Sequence, residues 1–326
     1  MFILKVLAAL VGGGVGLALI AAGITQLITA RIEARYPPAG PFVAVSGGRL
    51  GMIQAGPNPS ARGTVVLLHG ASSNAADPMA ALGPDLASAG FRVIALDRPG
   101  FGWSDRLAGA AMATPKAQAD AIAEALKSLG VGPAIVLGHS WAGALATALA
   151  LDHPEAVAGL VLVSPAVMPL PEIGPIPWYY RLALWPPVTW LLSRTVATPV
   201  GLYFLPRAGG HVFEPQAAPP GYLEASRAAL VLRPTTMLAN VQDLVGLPAA
   251  LQEQSRRYGD ITAPTVIITG DRDAIVPASR HARPLADLIP GARLVVLPGI
   301  GHMVHSVATS AVIDAVARLS ARDAVR

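Results

Sequence analysis

The stretch Gly138-His139-Ser140-Trp141-Ala142-Gly143 decides the fold of this chain. It follows the apolar, β-branched run Ala134–Leu137 and precedes a run of helix formers from Ala144 to Leu151. This order predicts a strand, a tight turn of small residues and a helix, with Ser140 at the apex of the turn. A serine held in such a turn is exposed at the end of its strand, so Ser140 is a candidate nucleophile.

Strand-type runs recur along the chain and alternate with helical patterns. The strand-type runs are Phe42–Ser46, Leu50–Gln54, Thr64–Leu68, Arg92–Leu96, Ala134–Leu137, Leu160–Val163, Thr265–Thr269 and Leu294–Leu297. The helical patterns cover Pro78–Ser88, Pro115–Leu129, Ala142–Leu151, Ser279–Ile289 and His305–Arg322. This alternation predicts an α/β fold with a mostly parallel, eight-stranded sheet, helices on both faces and an antiparallel hairpin at its start.

The alternation breaks between Ser164 and Ile261, where proline and aromatic residues are frequent. A connection of this length is too long for a simple loop. We therefore expect a largely helical cap, about residues 165–260, inserted over the C-terminal ends of the strands. Its apolar part from Trp178 to Leu192 also fits a segment that rests on a membrane, and the two interpretations are compatible.

An uncharged segment, residues 6–30, lies near the N-terminus between Lys5 and Arg31. As a helix it would be about 37 Å long at ~1.5 Å per residue, which is enough to cross a bilayer. We expect a membrane anchor of residues 1–36, a stiff spacer at Pro37-Pro38-Ala39-Gly40-Pro41, and one catalytic domain over residues 37–326. The alternative is a cleaved signal peptide and a secreted or periplasmic protein, although the apolar region of such a peptide usually has roughly 7–15 residues.

Composition excludes several other classes of protein. The chain has no cysteine, which excludes disulfides, thiolate metal sites and cysteine nucleophiles. Its net charge of +4 is not gathered into a basic stripe, so nucleic-acid binding has little support. No histidine and carboxylate pattern has the spacing of a metal motif, and we expect neither a metal nor a cofactor.

A serine nucleophile needs a base within hydrogen-bond distance and an acid that fixes the tautomer of that base. Two loops that follow the last two predicted strands supply candidates for both roles. The acid is Asp273 or Asp271, and the base is His302 or His305. Because the carboxyl ends of parallel strands meet at one edge of a sheet, we expect these loops to lie beside Ser140.

Residues 42–320 resemble the α/β-hydrolase superfamily in its capped form. The resemblance rests on four motifs in order: His69-Gly70-Ala71-Ser72, Asp97-Arg98-Pro99-Gly100-Phe101-Gly102-Trp103-Ser104, the turn at Ser140, and the pair Asp273 and His302. It implies that Ser140 is the nucleophile, that His302 acts as general base and then general acid, and that Asp273 orients His302. It further implies an oxyanion hole formed by the backbone N–H groups of Ala71 and Trp141, and a packing role for Asp97–Ser104.

The turn departs from the family pattern at Ala142, where glycine is usual. We expect a slightly tighter fit there and no loss of function. Among the other candidate site residues, His69 and Trp178 are possible substrate contacts, and His139 should pack beside the turn. The remaining histidines, expected at the surface or in the cap, are His153, His211 and His281.

These residues predict a hydrolase that works through an acyl-enzyme. A serine at position 140 argues against the haloalkane dehalogenases and epoxide hydrolases of this fold, which resemble an aspartate-nucleophile variant. The apolar cap favours an ester of a hydrophobic small molecule, and the anchor would place the enzyme at a lipid bilayer through residues 6–30. Hydrolysis of a carbon–carbon bond and a cofactor-free haloperoxidase or perhydrolase activity are alternatives. A non-enzymatic binding protein would be expected to lack a triad member, and none is missing.

Overall fold

The strands form where the sequence has short apolar runs. In the computed structural model, which describes residues 1–169, 182 and 184–323, the strands are β1 (Phe42–Val45), β2 (Gly48–Ala55), β3 (Thr64–Leu68), β4 (Arg92–Leu96), β5 (Ala134–His139), β6 (Val157–Val163), β7 (Thr265–Gly270) and β8 (Arg293–Leu297). They form one sheet in the order β1-β2-β4-β3-β5-β6-β7-β8. β1 pairs with β2 and β2 with β4 in antiparallel fashion, and every later pair is parallel. The predicted mixed, mostly parallel sheet is confirmed.

Helices cover both faces of this sheet. Their bounds are α1 (Phe2–Arg35), α2 (Ala76–Ser88), α3 (Pro115–Ser128), α4 (Trp141–Asp152), α5 (Pro186–Thr195), α6 (Ala197–His211), α7 (Tyr222–Ala225), α8 (Pro234–Gln254), α9 (Ala282–Leu288), α10 (Val304–Val307) and α11 (Thr309–Asp323). The predicted helix over residues 305–322 is in fact two helices, because the backbone of Ala308 leaves the helical region.

The core consists of two apolar layers, one on each side of the sheet. In β3, Val66 and Leu68 face the layer that contains α3, α4 and α9, whereas Val65 and Leu67 face the layer that contains α2 and α11. All four side chains are fully buried. Because neighbouring residues of a strand point to opposite faces, a strand covered on both sides must be apolar throughout.

The N-terminal helix α1 runs from Phe2 to Arg35 and has a mean hydropathy of 2.2 in its most apolar part. Within the described part of the chain, α1 is the one helix that is long and apolar enough to cross a membrane. Many signal sequences are also long and apolar enough to do so. Its last third packs on the rest of the molecule. Thr25 and Ile32 are buried, the hydroxyl of Thr25 donates to the carbonyl of Thr195, and Ile32 packs against Leu230 and Leu232. The end of α1 is therefore part of the folded domain.

The expected spacer after α1 is wrong, because residues 37–41 pack on the domain. The Arg227 guanidinium donates to the carbonyl of Pro37 (2.6 Å), and the N–H of Met52 donates to the carbonyl of Pro41 (3.1 Å). Just before this segment, the Trp103 indole donates to the carbonyl of Tyr36 (3.0 Å). Proline has no N–H but keeps its carbonyl, so a proline-rich segment can still be held through its acceptors.

The described residues between β6 and β7 form mainly helices, α5 to α8, as expected for a helical cap. This segment leaves β6 through Ser164 and Pro165, at the edge of the sheet where β5 also ends. The longest of the four, α8, begins after Arg233 and continues to Gln254. Trp178 lies outside the described residues.

A close contact between α4 and the segment after β6 gives a first prediction. A Cβ at Gly143 would lie 2.8 Å from the Cα of Pro165, which is backbone and cannot move aside. We expect Gly143→Ala to lower the free energy of unfolding by about 1–3 kcal/mol. Gly132→Ala is the control, since a Cβ there meets nothing within 4 Å. Urea unfolding of both variants gives the comparison, and equal midpoints would contradict the prediction.

Candidate active site

Ser140 occupies a strained turn between β5 and α4. Its φ of 54° and ψ of −118° lie in a region that residues with a side chain rarely adopt, at a cost of roughly 1–3 kcal/mol. Hydrogen bonds hold the turn in place: the N–H of Ser140 donates to Val163 (2.9 Å), and its carbonyl accepts from Gly143 (2.8 Å) and Ala166 (2.9 Å). The serine itself is partly exposed. Strain that the surroundings enforce at an exposed serine is typical of a catalytic position.

Close packing explains which positions of the turn must be glycine. A Cβ at Gly138 would lie 2.9 Å from the Cβ of Ala146, and one at Gly70 would lie 3.1 Å from the Cβ of Ser140. Ala142 is fully buried, so the structure accommodates a Cβ at this position. The need for glycine therefore falls on positions 138 and 143, which accounts for the departure from the family pattern at 142.

His302 and Asp273 meet beside this turn. Nδ1 of His302 lies 2.8 Å from Oδ2 of Asp273, and both residues are 5% exposed. The other carboxylate oxygen of Asp273 accepts from the N–H groups of Ile275 (2.9 Å) and Val276 (2.8 Å). A carboxylate fixed in this way holds the proton of His302 on Nδ1 and leaves Nε2 free to act as a base.

The two alternative residues have other partners. Oδ1 of Asp271 accepts from the N–H of Gly299 (2.7 Å), so this exposed carboxylate joins two loops. His305 is fully buried, and its Nε2 lies 3.3 Å from Oδ2 of Asp77. The structure thus brings together Asp273 and His302, whereas Asp271 bonds the backbone of Gly299. His139, next to Ser140 in the chain, has its ring centroid 4.9 Å from that of His302.

The two amides expected to form an oxyanion hole belong to the residue after Ser140 and to the loop whose Gly70 lies against Ser140. Trp141 is the first residue of α4, and the first amides of a helix have no partner within the helix. Ala71 follows Gly70, whose backbone lies against Ser140. Among the described residues neither N–H donates to a carbonyl, so both amides are available to a ligand.

His69 supports this loop from inside. It is fully buried, its Nε2 accepts from the N–H of Arg98 (3.0 Å), and its Nδ1 lies 2.9 Å from the carbonyl of Gly70. Burial, and then the charge of Arg98, hold the pKa of His69 well below its usual value. Because both ring nitrogens are engaged, His69 is not available to a substrate.

Arg98 lies at the centre of a buried polar network that the sequence analysis did not anticipate. Its guanidinium donates to the carbonyls of His69 (3.1 Å) and Gly70 (3.2 Å) and to the side chains of Gln118 (2.9 Å) and Asp243 (2.6 Å). Burial lowers the pKa of Arg98 to about 10, although Asp243 acts in the opposite direction, so the group stays charged at neutral pH.

Asp243 comes from the cap helix α8 and is also fully buried. Its second oxygen accepts from Arg106 (2.7 Å), and its carbonyl accepts from the indole of Trp141 (3.2 Å). Trp141 in turn lies 4.1 Å below the guanidinium carbon of Arg98. In the sequence, Asp243 stands among mostly apolar neighbours between Val241 and Val245, which could have indicated that it is buried. This pattern does not identify the residue with which Asp243 pairs.

The cap also holds the loops on either side of the turn. Asn240 of α8 accepts from the N–H of Ser72 (2.8 Å) and donates to its hydroxyl (3.0 Å). On the other side, Gln216 donates to the carbonyl of Gly299 (2.7 Å) and accepts from the N–H of Gly301 (2.9 Å). Cap residues therefore fix both the loop of Ala71 and the loop of His302.

A second group of buried titratable residues lies behind His302. Asp77, His139 and His305 have ligand-type atoms within 4.8 Å of one another, which is the composition of a metal site. Donors about 2.1 Å from a tetrahedral ion lie only about 3.4 Å apart, so this group is more open than a formed zinc site. Asp77 already accepts from the hydroxyl of Ser73 (3.1 Å) and lies near His305. The arrangement favours a structural role for these residues.

The remaining histidines differ in part from expectation. His153 and His211 are at the surface, as predicted. His281 is instead 5% exposed, and its Nδ1 accepts from the N–H groups of Val167 (3.2 Å) and Met168 (3.1 Å). It is buried because the start of the cap segment folds over it and needs an acceptor for those two amides.

Comparison with known proteins agrees with this architecture. A family model described as the alpha/beta hydrolase fold matches residues 63–309. The chain belongs to this family. A curated relative from Klebsiella pneumoniae, a 2-hydroxy-6-oxononadienedioate/2-hydroxy-6-oxononatrienedioate hydrolase, is 30% identical over 263 residues, which cover 78% of this chain and 86% of the relative. A 2-hydroxy-6-oxo-6-phenylhexa-2,4-dienoate hydrolase from Burkholderia cepacia is 27% identical, covering 73% and 80%.

Solved structures share the fold at lower identity. An esterase from Exiguobacterium antarcticum superimposes with a TM-score of 0.69 at 21% identity, covering 86% of this chain and 99% of the esterase. An enol-lactonase from Burkholderia xenovorans has a TM-score of 0.66 at 21% identity, with the same coverage. These likenesses show the fold, and they leave the bond that this chain cleaves to be argued from its own residues.

The buried ion pair between Arg98 and Asp243 gives a second prediction. Asp243→Asn leaves Arg98 charged and buried without a counter-ion, so we expect a loss of about 3–5 kcal/mol in the free energy of unfolding. Glu253→Gln on the same helix is the control, because Glu253 and Arg256 form an exposed pair worth at most about 1 kcal/mol. Urea unfolding measures both.

A double variant, Arg98→Met with Asp243→Leu, keeps this test informative where Asp243→Asn fails to fold. Because it removes both charges, we expect it to unfold at a higher urea concentration than Asp243→Asn. Equal losses in Asp243→Asn and Glu253→Gln would contradict the role given to the pair.

The buried histidines predict a dependence of stability on pH. Burial, and then the charges of His305 and His302, hold the pKa of His139 well below 6.5. Between that folded pKa and 6.5 the unfolded chain binds a proton at this site that the folded chain does not, so stability is fully present above 6.5 and falls as the pH is lowered.

We expect His139→Asn to flatten this dependence by up to about 1.4 kcal/mol per pH unit below pH 6.5. His211→Gln, at an exposed histidine, should leave the slope unchanged. Urea midpoints from pH 5 to 7.5 test both variants. The same slope in wild type and His139→Asn would show that His139 does not contribute.

Proposed function

We propose that this chain is a serine hydrolase that cleaves an ester-type bond of a lipophilic small molecule through an acyl-enzyme on Ser140. The observation that carries the proposal is the 2.8 Å contact between His302 and Asp273 on loops beside the strained serine. A nucleophile, a base and a group that orients the base are the parts that acyl transfer requires.

In the first half of the reaction, Nε2 of His302 removes the proton from the Ser140 hydroxyl as Oγ attacks the carbonyl carbon of the ester. The tetrahedral intermediate collapses when the imidazolium of His302 gives its proton to the leaving alcohol. In the second half, His302 takes a proton from the water that attacks the acyl-enzyme, and it gives this proton to Oγ of Ser140 as the acid is released. Asp273 stabilises the positive charge that His302 carries in both halves.

The negative charge of the intermediate falls on the former carbonyl oxygen. We assign its stabilisation to the backbone N–H groups of Ala71 and Trp141, which flank Ser140. A preorganised donor of this kind contributes about 3–4 kcal/mol to the transition state. The hydrogen bonds of Ser72 to Asn240 support this assignment, because they fix the backbone next to Ala71.

Two observations favour a neutral, lipophilic substrate. The cap carries large apolar residues, many of them exposed, and apolar surface suits first contact with a lipophilic ligand. Arg98, close to the site, is fully buried and paired with Asp243, so its guanidinium is not offered to a substrate carboxylate. Trp178, which the sequence analysis named, remains a candidate substrate contact.

Cleavage of a carbon–carbon bond is the second candidate. It is supported by the relatives from Klebsiella pneumoniae and Burkholderia cepacia, whose names describe hydrolases of 2-hydroxy-6-oxo dienoates. The same serine, histidine and aspartate can serve that reaction, so the choice between the two depends on the substrate and not on the triad.

We also propose that residues 6–30 of α1 anchor the enzyme in a lipid bilayer. The length of α1 and the exposure of its apolar side chains up to Leu27 support this role. An anchor would place the site near lipophilic substrates.

The catalytic assignment is tested with a fluorophosphonate probe and with p-nitrophenyl esters. Ser140→Ala should lose both labelling and activity, and Asp273→Asn should lower kcat by about 10⁴-fold, as in other triads. Ser310→Ala, at an exposed serine, and Asp271→Asn are matched controls that should keep near wild-type activity. Activity that survives in Ser140→Ala, or that is lost only in Asp271→Asn, would overturn the assignment.

The bond is tested by comparing kcat/KM for p-nitrophenyl esters of increasing acyl length with that for 2-hydroxy-6-oxo-6-phenylhexa-2,4-dienoate. We expect longer esters to be the better substrates. A dienoate that is cleaved faster than every ester would support the carbon–carbon alternative instead.

A further inference from the structure

Exposed large apolar side chains are concentrated in two parts of the described chain. Of 28 such residues, 13 lie between Met1 and Leu27, and 11 lie between Leu182 and Phe204. We call the second group the cap apolar face; it lies on and just before α5 and on α6. Its most prominent members are Trp185, Trp190, Leu191, Val200, Tyr203 and Phe204. A soluble monomer rarely exposes so many large apolar residues in one region, so this face is expected to have a partner.

The cap apolar face is continuous with α1. Both α5 and α6 contact α1, and the hydroxyl of Thr25 donates to the carbonyl of Thr195 at the end of α5. Ala18, Ala21 and Ala22, within about two turns of Thr25, are also partly buried. Further along α1, Glu33 pairs with Arg233 (3.4 Å). The cap helices are therefore packed against α1.

The length of α1 sets the depth at which these helices meet a bilayer. A hydrocarbon core about 30 Å thick takes about 20 helical residues at ~1.5 Å each. Counted from Val6, the first residue after Lys5, such a span ends at Thr25. Thr25 is where α5 packs on α1, so the cap helices meet α1 at the boundary between hydrocarbon and headgroups.

We propose that α5 and α6 lie in this boundary with the cap apolar face inserted among the acyl chains. The anchor and the cap then form one membrane-binding unit, and a lipophilic substrate enters the cap from the bilayer. The proposal rests on the proposed role of α1 as an anchor. The partner that covers the cap apolar face is a lipid bilayer.

The side chains suit this location. Tryptophan and tyrosine are enriched where membrane meets water, and Trp185, Trp190 and Tyr203 are 57%, 51% and 80% exposed. Arg194 lies with its guanidinium carbon 4.4 Å above the ring of Trp190, where its charge can face lipid headgroups. An apolar face with aromatic residues and a flanking cation is the pattern of a surface-bound helix.

A surface groove of the cap shares a lining residue with this face. Leu202, one of its exposed members, lines the groove together with Leu205, Leu223 and Tyr222. Tyr222 lies near Asp77; burial, and then the charge of Asp77, raise the pKa of its phenol. The groove thus has among its lining residues one from the proposed lipid contact and one that lies near Asp77.

Spin labels on single cysteines test the proposal in the full chain, which has no native cysteine to interfere. Val200→Cys and Tyr203→Cys report on the cap apolar face, Leu17→Cys on α1, and Leu288→Cys on an exposed apolar residue elsewhere. Each variant is reconstituted in vesicles of phosphatidylcholine and phosphatidylglycerol. The accessibility of each label to oxygen and to a water-soluble nickel chelate is then measured.

We expect labels at 200, 203 and 17 to favour oxygen, and the label at 288 to favour the nickel chelate. If the labels at positions 200 and 203 favour the nickel chelate, as the label at 288 does, while the label at 17 favours oxygen, the proposal is overturned. The role of α1 as an anchor would still stand. A label at 17 that also favours nickel would overturn the anchor itself. Spin–spin broadening at 203 that persists on dilution with lipid would show a second copy of the chain on this face and overturn the proposal.

An activity comparison supplies an independent readout. Tyr203→Asp should lower kcat/KM by at least about tenfold for a long-chain ester dissolved in the vesicles, because a charge opposes insertion. Its activity on a short, water-soluble ester should stay at the wild-type level, and Leu288→Asp should match wild type on both. Equal losses on both esters would contradict a role in membrane contact. If the wild-type protein hydrolyses none of the esters, the proposed reaction is refuted instead.

Discussion

Arg98 is completely buried, and its guanidinium joins four parts of the molecule: the carbonyls of the loop at His69 and Gly70, the side chain of Gln118 on α3, the indole of Trp141 beside the turn, and the carboxylate of Asp243 in the cap. A buried charge is tolerated only when it is paired. The loop that carries Ala71 therefore keeps its conformation only while the cap stays packed on the domain and Asp243 stays paired with Arg98. In this structure the stability of the core and the geometry of the site depend on the same ion pair.

The other cap contacts extend this dependence to the rest of the site. Asn240 holds the backbone of Ser72, and Gln216 holds the loop that ends at His302. The parallel sheet supplies the positions of the loops, because three strands end at one edge. The cap then fixes their conformations. A substitution in the cap can consequently change catalysis without touching a substrate.

The sheet and its site loops could be predicted because they depend on local patterns: short apolar runs give the strands, and the residues that follow them fall at one edge. Contacts between distant segments could not be predicted. The sequence has no signal that pairs Asp243 with Arg98 or packs α1 on α5, since each partner is more than a hundred residues away. The burial of His281 and the packing of residues 37–41 were missed for the same reason, because both depend on which segment folds over them.

The packing of α1 against the cap has a mechanical consequence. A helix joined by a flexible linker can tilt without moving its domain. In contrast, α1 is held at Thr25 by Thr195 and at Glu33 by Arg233, and Tyr36 just after it is held by Trp103. Any tilt of α1 is passed to the whole domain as a rigid rotation. With α1 spanning a bilayer as proposed, a thinner bilayer would make it tilt further, and the thickness of the membrane would set the angle at which the cap meets the lipid. Lipid composition would then regulate this protein through geometry alone, with no ligand bound at the site.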